Sequence, residues 1–501
     1  MTDAFDVIVV GFGYAGGVAA IEAHDAGARV LILEKRADAG GVSVCSAGGV
    51  RYTRDAASAL AYLEATNAGT TPTPVLKALA DGMATMPDYI TKLAEDCGAS
   101  AVARQASANY PFAGYDSFGF VNIDDAPGFD AARDFPAVRG SAPGARLFKV
   151  VLENVRRRSI EVRYAARAER LIVEEGLVAG VVVNGEAILA RGGVVLCAGG
   201  FEGSAELQAQ FWPIKPVLSA AIRTNTGDGL RMAQAAGAAL WHLWHYHGSY
   251  GFRHPDPDYP FGVRLKRLPD WTPGQPFRED APMSWILVNR EGRRFMNEYE
   301  PYMQDTGHRA FEAMDFARMA PANAPAVLIV DANGRERYAL SAPTWHDEET
   351  ARKFASVSPR DMDGAILRAF DSLEELADAF EIDAASLLQT VSEWNAGIEA
   401  EVPDRLGRPD RSRMPIVAPP FSAALTHPIV SNTQGGPVHD ERQRVLDAFG
   451  APIPHLWEAG EIGSVFGHIY MSGGNLAECF VGGGVAGREA AANAKNVRAA
   501  S

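Results

Sequence analysis

Gly11, Gly13 and Gly16 fall in a G-x-G-x-x-G pattern, written out as Gly11-Phe12-Gly13-Tyr14-Ala15-Gly16. That spacing suits one task, holding the diphosphate of a dinucleotide. The first glycine permits a tight turn, the second lets pyrophosphate reach the backbone, and the third lets a helix pack close to a strand. Amides at the start of that helix carry partial positive charge and face the phosphates. Glu34 stands at the expected remove of roughly twenty residues. A carboxylate there accepts ribose hydroxyls and repels a 2′-phosphate, so FAD or NAD is expected and NADP is not.

These groups need a strand, a turn and a helix to place them. Phe5 to Val10 is almost wholly apolar and reads as a buried parallel strand. Residues 14 to 26 read as an alanine-rich helix stopped by Gly27, and Arg29 to Leu33 as a second strand. Together they make a βαβ unit. FAD is preferred over NAD because Gly40-Gly41-Val42-Ser43-Val44-Cys45-Ser46-Ala47-Gly48-Gly49 follows soon after Glu34. Bare backbone and small hydroxyls suit a chain pressed on a large flat ligand. Ala459-Gly460-Glu461 is a second small-residue turn whose carboxylate suits ribityl hydroxyls.

Further along, 75–97 and 147–156 read as helices and 160–163 as a strand. Residues 170–173 and 178–183 read as a hairpin, and 193–197 as another buried strand. Residues 253–283 are rich in Pro, Asp and aromatics, and polar helices are expected at 364–381 and 384–399. The chain is therefore expected to be α/β. A Rossmann-like, discontinuous FAD-binding domain would occupy 1–250 and 420–501, with an inserted α+β cap domain over 251–419.

The 501 residues carry a formal net charge of −15, with no long acidic or basic tail. That excludes nucleic acid and anionic membrane surfaces as partners. No apolar run at the N-terminus is long enough for a signal peptide or a membrane span. Cys45, Cys97, Cys197 and Cys479 show no C-x-x-C spacing, so a cytoplasmic setting is expected, with no zinc site or disulfide framework.

The sequence resembles the flavoprotein superfamily of fumarate reductases, succinate dehydrogenases and 3-ketosteroid dehydrogenases. The shared runs are the two glycine segments, Cys197-Ala198-Gly199-Gly200-Phe201, Thr226-Gly227-Asp228-Gly229, Asn289 to Glu298, and Ala459 to Ala490. The resemblance implies extended FAD beneath a cap domain, with cofactor contacts from several segments. Gly11, Gly13, Tyr14, Ala15, Gly16, Glu34 and Lys35 would serve the first. Gly41, Val42, Ser43, Ser46, Ala47, Gly48 and Gly49 would serve the second. The remainder are Ala168, Ala198, Gly199, Asn225, Asp228, Gly460, Glu461, Asn475 and Leu476. No histidine lies between Gly40 and Gly49, so the FAD is implied to be non-covalent. The helix after Gly473-Gly474-Asn475 is implied to point at the flavin and to stabilise negative charge there.

Members that reduce fumarate clamp a dianion with Arg and His. At those positions this chain carries Tyr302, Asn432 and Tyr470-Met471-Ser472, which lack the cationic forks a dicarboxylate needs. The same places match the 3-ketosteroid dehydrogenases. There Tyr302, in Asn297-Glu298-Tyr299-Glu300-Pro301-Tyr302, is implied as the base, and Tyr110, before Pro111, as its assistant. Tyr470 and the Gly474 N–H are implied to bind the keto oxygen. The expected reaction dehydrogenates, or in reverse reduces, a C–C bond beside a ketone, with hydride exchanged at flavin N5. The substrate class left open is a steroid, a smaller cyclic ketone or another enone, with an electron acceptor the sequence does not name. A fumarate reductase-like reduction of an unsaturated carboxylate is the alternative. Val50-Arg51-Tyr52-Thr53 departs from the pattern, lacking the apolar residues expected beside a steroid. Trp241 to His247 reads as pocket wall or core without metal, His308-Arg309 as a helix-surface pair, and Cys45 as a small buried residue.

Overall fold

A computed structural model describes residues 5–265, 282–299, 305 and 307–500. The chain forms two compact units. One comprises Met1–Phe211, Ile222–Tyr246 and Asn432–Ser501, the other Trp212–Ala221 and His247–Ser431.

The main sheet of the first unit runs Arg444–Leu446, Pro452–Glu458, Glu186–Leu196, Phe5–Val10, Val30–Leu33, Glu161–Arg163. All neighbours are parallel except the Arg444–Leu446 edge. Phe5–Val10 and Val30–Leu33 are buried throughout, as strands covered on both faces must be. The helix Tyr14–Asp25 lies against the C-terminal helix Gly474–Ala500. A Cβ on Gly483 would stand 2.7 Å from the Ala15 carbonyl oxygen, and one on Gly487 2.2 Å from that of Ala19. The alanine and glycine content of both helices is thus a close helix–helix seam.

Several elements of this unit differ from the sequence expectation. The strand read at 193–197 begins at Glu186. Its first half pairs antiparallel with Leu177–Val183 and its second half runs parallel to Phe5–Val10. The first half is partly exposed and so carries no buried-strand signal. The helix Ala56–Asn67, absent from the reading, starts where the Asp55 carboxylate accepts the Ala57 N–H at 3.1 Å. The helix read from 147 begins at Ala142, with a proline in its first turn. A small antiparallel sheet, Ser100–Gln105, Phe118–Asp125 and Val50–Thr53, completes this unit.

The second unit holds a largely antiparallel sheet in the order Ile286–Val288, Ala326–Val330, Phe421–Thr433, Tyr246–Arg253, Gly262–Leu265, Ser341–Ala342. Helices Leu373–Ala379 and Ala384–Glu399 pack on its apolar side chains. The single helix expected at 364–381 is corrected. Pro359–Ile366 ends as Leu367 turns extended, Arg368–Phe370 pairs with Phe421–Thr433, and Ser372 caps a new helix by accepting the Glu375 N–H. Sheet pairing and a local cap together outweigh helical periodicity there. His308, expected on a helix surface, is 2% exposed, with Nδ1 2.7 Å from Glu312 Oε1.

A buried ionic group ties this unit together. Arg294 Nε donates to Glu298 at 2.9 Å, its Nη1 donates to Asp404 at 2.7 Å, and the guanidinium lies 4.5 Å from the Trp394 ring centre. Removing one partner strands a buried charge. Arg294→Met is therefore expected to lower stability by about 3–5 kcal/mol, read by urea unfolding under tryptophan fluorescence. A loss below about 1 kcal/mol, the size of an exposed pair, would contradict this.

Candidate functional site

A cleft opens in the first unit where Val10, Leu33 and Cys197 end or follow their parallel strands. Ligands of open α/β sheets bind at such strand ends. The glycine turn forms its floor. Gly11 N–H donates to the Leu33 carbonyl at 2.8 Å, and Tyr14 N–H to Ser43 Oγ at 3.1 Å. Ser43 thereby joins the second glycine segment to the start of the first helix.

Glu34 is 6% exposed, and its carboxylate is fixed by main chain. Phe12 N–H donates to Oε2 at 2.9 Å and Arg36 N–H to Oε1 at 2.8 Å. Each oxygen keeps a further lone pair, so the group can accept two vicinal hydroxyls. Burial raises its pKa, and the Arg36 and Phe12 amides oppose that rise. Nearby, Lys35 Nζ and Arg167 Nη2 both donate to Asp228 at 2.9 Å.

At the other end of the lining Glu461 and Asn225 meet. Thr433 N–H donates to Glu461 Oε1 at 2.8 Å, and Asn225 Nδ2 donates to Glu202 Oε1 at 2.9 Å and Glu461 Oε2 at 3.5 Å. Both carboxylates titrate above their ordinary range, first through burial, and Glu202 also through the charge of Glu461. A Cβ on Gly199 would lie 2.6 Å from Asn225 Nδ2, so this wall is closed by main chain.

Of the cofactor residues expected from sequence, Gly11, Gly13, Tyr14, Ala15, Glu34, Lys35, Gly41, Val42 and Ser43 line the cleft. So do Ala168, Ala198, Gly199, Asn225, Asp228 and Glu461. Gly16 lies beneath it, where a Cβ would stand 1.9 Å from the Gly11 carbonyl oxygen. Ser46 meets the Tyr14 hydroxyl at 3.2 Å, Ala47 is exposed, and Gly48 and Gly49 press on Pro143 and Phe120. Gly460 lines a smaller neighbouring cavity with Glu478. Leu476, half-buried, is not among the lining residues. Phe12, Arg36, Arg167, Thr224, Met232 and Cys479 also line the cleft and were not expected. Adjacency to the motifs pointed to Phe12, Arg36 and Arg167. Thr224 adjoins the expected Asn225 in the same way, and nothing in the sequence pointed to Met232.

The start of the C-terminal helix is organised differently from the sequence reading. The helix begins at Gly474, so Asn475 lies within its first turn rather than ahead of it. Asn475 and Gln434 exchange side-chain hydrogen bonds at 3.0 and 3.1 Å, and Asn475 Nδ2 donates to Glu478 at 2.7 Å. Asn432 Nδ2 donates to Asn475 Oδ1 at 3.1 Å. Buried Glu478 is pushed up to about 7 by loss of solvent.

Tyr470, Gly474 and Tyr110 are all buried in the first unit. Gly473 N–H donates to the Tyr470 hydroxyl oxygen at 3.0 Å. The Gly474 N–H, expected to await a substrate carbonyl, donates instead to the Met471 carbonyl at 2.7 Å, which closes the turn. Asn109, next to Tyr110, accepts the Ser472 N–H at 2.9 Å, so the Tyr110 loop adjoins the Tyr470 turn. Tyr302 lies outside the described residues.

A cleft floored by bare backbone, a helix start and a two-handed carboxylate fits the diphosphate and ribose of FAD. The family match and the sequence relatives define a flavin-dependent oxidoreductase acting on CH–CH groups. The chain belongs to the FAD binding domain family, matched over residues 6–476, and so to the fumarate reductase and succinate dehydrogenase flavoproteins. FAD is its cofactor. It is 28% identical to a fumarate reductase (cytochrome) of Shewanella frigidimarina, over 98% of this chain and 78% of that one. It is also 28% identical to 4-oxocyclohexanecarboxylate 2-dehydrogenase of Sinomonas cyclohexanicum, over 91% and 87%. A 3-ketosteroid Δ1-dehydrogenase structure from Sterolibacterium denitrificans shares the fold at a TM-score of 0.80 and 24% identity, covering 98% of this chain and 100% of that one. Among the described residues no helix is long and apolar enough to cross a membrane.

Glu34→Ala removes two charge-assisted bonds, each worth about 1.5–3 kcal/mol. The FAD dissociation constant, measured by flavin fluorescence, is expected to rise at least about tenfold. An unchanged constant would contradict the ribose role. Because Glu478 titrates near 7 in the fold against an ordinary 4.5, the folded state holds its proton more tightly than the unfolded chain. Its contribution is complete below the lower value and is lost as pH rises through the upper one. The melting temperature is expected to fall between about pH 5 and 8. Glu478→Gln should flatten that fall, and an undiminished slope would show that other groups cause it.

Proposed function

We propose that the enzyme dehydrogenates, or in reverse reduces, the C–C bond next to the carbonyl of a cyclic ketone. Bound FAD supplies the hydride acceptor at its N5. The residues of the chain handle the carbonyl and the proton. Tyr470 donates its phenolic hydrogen to the ketone oxygen, and the start of the C-terminal helix adds favourable potential as enolate charge grows. Tyr302 takes the α-proton as a base, relayed by Tyr110. The α C–H pair becomes the new C=C bond as the β-hydrogen leaves as hydride, so one proton and one hydride depart together. Gly474 serves through its turn, where a Cβ would come within 2.5 Å of the Phe466 ring.

The observation that carries this reading is the placement of Tyr470. Buried in the turn just before the C-terminal helix, its oxygen accepts the Gly473 N–H at 3.0 Å. The relative named for a 4-oxocyclohexanecarboxylate dehydrogenase supports a cyclic ketone as the substrate class. Similarity to a fumarate reductase over 98% of this chain supports a second reading, reduction of an unsaturated carboxylate. That reading is weaker. Asn432 donates to Asn475, and buried Arg51 directs Nε and Nη1 at main-chain carbonyls rather than offering both as a carboxylate fork. The proposal includes non-covalent FAD, supported by the absence of histidine from 40–49, and a cytoplasmic setting, supported by four cysteines without C-x-x-C spacing.

The test is anaerobic bleaching of the flavin by steroidal ketones, substituted cyclohexanones and dicarboxylates. A cyclic ketone is expected to bleach it fastest. Tyr470→Phe should slow that reduction about 10²–10³-fold while FAD stays bound, the usual cost of losing one oxyanion donor. Full activity in Tyr470→Phe, or bleaching by succinate alone, would reject the reading.

A further inference from the structure

We infer that Arg51 is a positioning residue, holding the loop that carries Tyr110 and the turn that carries Tyr470 at a set distance; the catalytic part of this inference rests on the reading proposed above. Arg51 is 1% exposed in the strand Val50–Thr53. Its Nε donates to the Ser472 carbonyl at 2.8 Å. Its Nη1 donates to the carbonyls of Ala106 at 2.9 Å and Ser107 at 3.2 Å. Its own main-chain N–H reaches the Gly473 carbonyl at 3.3 Å. The guanidinium lies 3.8 Å from the Phe120 ring centre, which holds its plane.

One planar cation therefore grips two segments far apart in sequence. Residues 106–107 lead into Asn109 and Tyr110, while 472–473 follow Tyr470. The Ser472 N–H to Asn109 bond runs beside this clamp and closes the same gap. Main-chain carbonyls are the groups bound, so the clamp acts on backbone position and not on the phenols directly. A lysine keeps the charge but offers a single point donor, which cannot span both segments in this geometry. Strand residues 50–53 departed from the apolar pattern because Arg51 ties backbone together there.

The experiment compares Arg51→Lys, Arg51→Met and Asn109→Ala, each as FAD-loaded enzyme. Hydrogen exchange reads the clamp without any substrate. Faster exchange is expected in 106–110 and 470–474 together, with the glycine turn at 11–16 unchanged. Flavin reduction is followed anaerobically with 4-oxocyclohexanecarboxylate and 4-androstene-3,17-dione, using whichever reduces the wild type faster. The reduction rate should fall about 10²-fold with KM nearly unchanged, the mark of misplaced reacting groups. FAD content should stay at the wild-type level, because Arg51 does not line the cleft. Unchanged exchange in either segment, or a full reduction rate in Arg51→Lys, would overturn the inference. Should Arg51→Met fail to fold, the lysine and Asn109 variants decide the question. Full activity in Tyr470→Phe would instead remove the functional reading, and the exchange result would still decide whether the clamp exists.

Discussion

Main chain approaching main chain at the ends of the parallel strands is the constraint on which the rest of the structure depends. A Cβ on Gly11 would lie 2.3 Å from the Cys197 carbonyl oxygen, closer than any side chain allows. Bare backbone lets strand, turn and helix converge there, and convergence aims the helix start at the cleft. The seam between the first and last helices extends the same principle, because Gly483 and Gly487 let a distant segment lie directly against the first helix. The C-terminal residues that complete the site are thus anchored by the element that opens the chain.

Around that frame the molecule buries four carboxylates and hydrogen-bonds three of them. Glu202, Glu458, Glu461 and Glu478 are each at most 8% exposed in a chain of net charge −15. Burial pushes all four upward. Main-chain amides, Asn225, Asn475 and Ser464 hold three of them. The fourth, Glu458, has Oε1 3.3 Å from His439 Nε2. Such networks define one arrangement of the loops they join, because any other leaves polar groups unpaired in a dry interior. The start of the C-terminal helix is placed by this network and by its glycine turn.

The dinucleotide half of the site was largely legible in the sequence, since its parts are contiguous. Residues 11–16, Glu34 and 40–43 act through backbone geometry that a local motif specifies. The other half drew residues from near 198, 225 and 461, and most of those expected residues also line the cleft. Their neighbours Thr224 and Met232 carry no motif of their own. Reading failed where a group has two uses. The Gly474 amide was assigned to a ligand and closes a turn with Met471. Asn475, expected ahead of the last helix, lies within its first turn and pairs with Gln434. His308 was read as a surface residue and is buried against Glu312. Each choice depends on partners distant in sequence or on a turn that spacing alone does not resolve.

By itself the sequence determined the βαβ opening and a dinucleotide site, which follow from periodicity and short motifs, and the family resemblance that its longer shared runs carry. Only tertiary structure decided which hydrogen-bonding groups are already taken. It brought residues 106–107 and 472–473 to the two sides of one buried arginine, and it paired the two halves of the 186–196 strand in opposite senses. The physical reason is that a buried donor or acceptor must find a partner wherever the fold supplies one, and the chain order does not say which group that is.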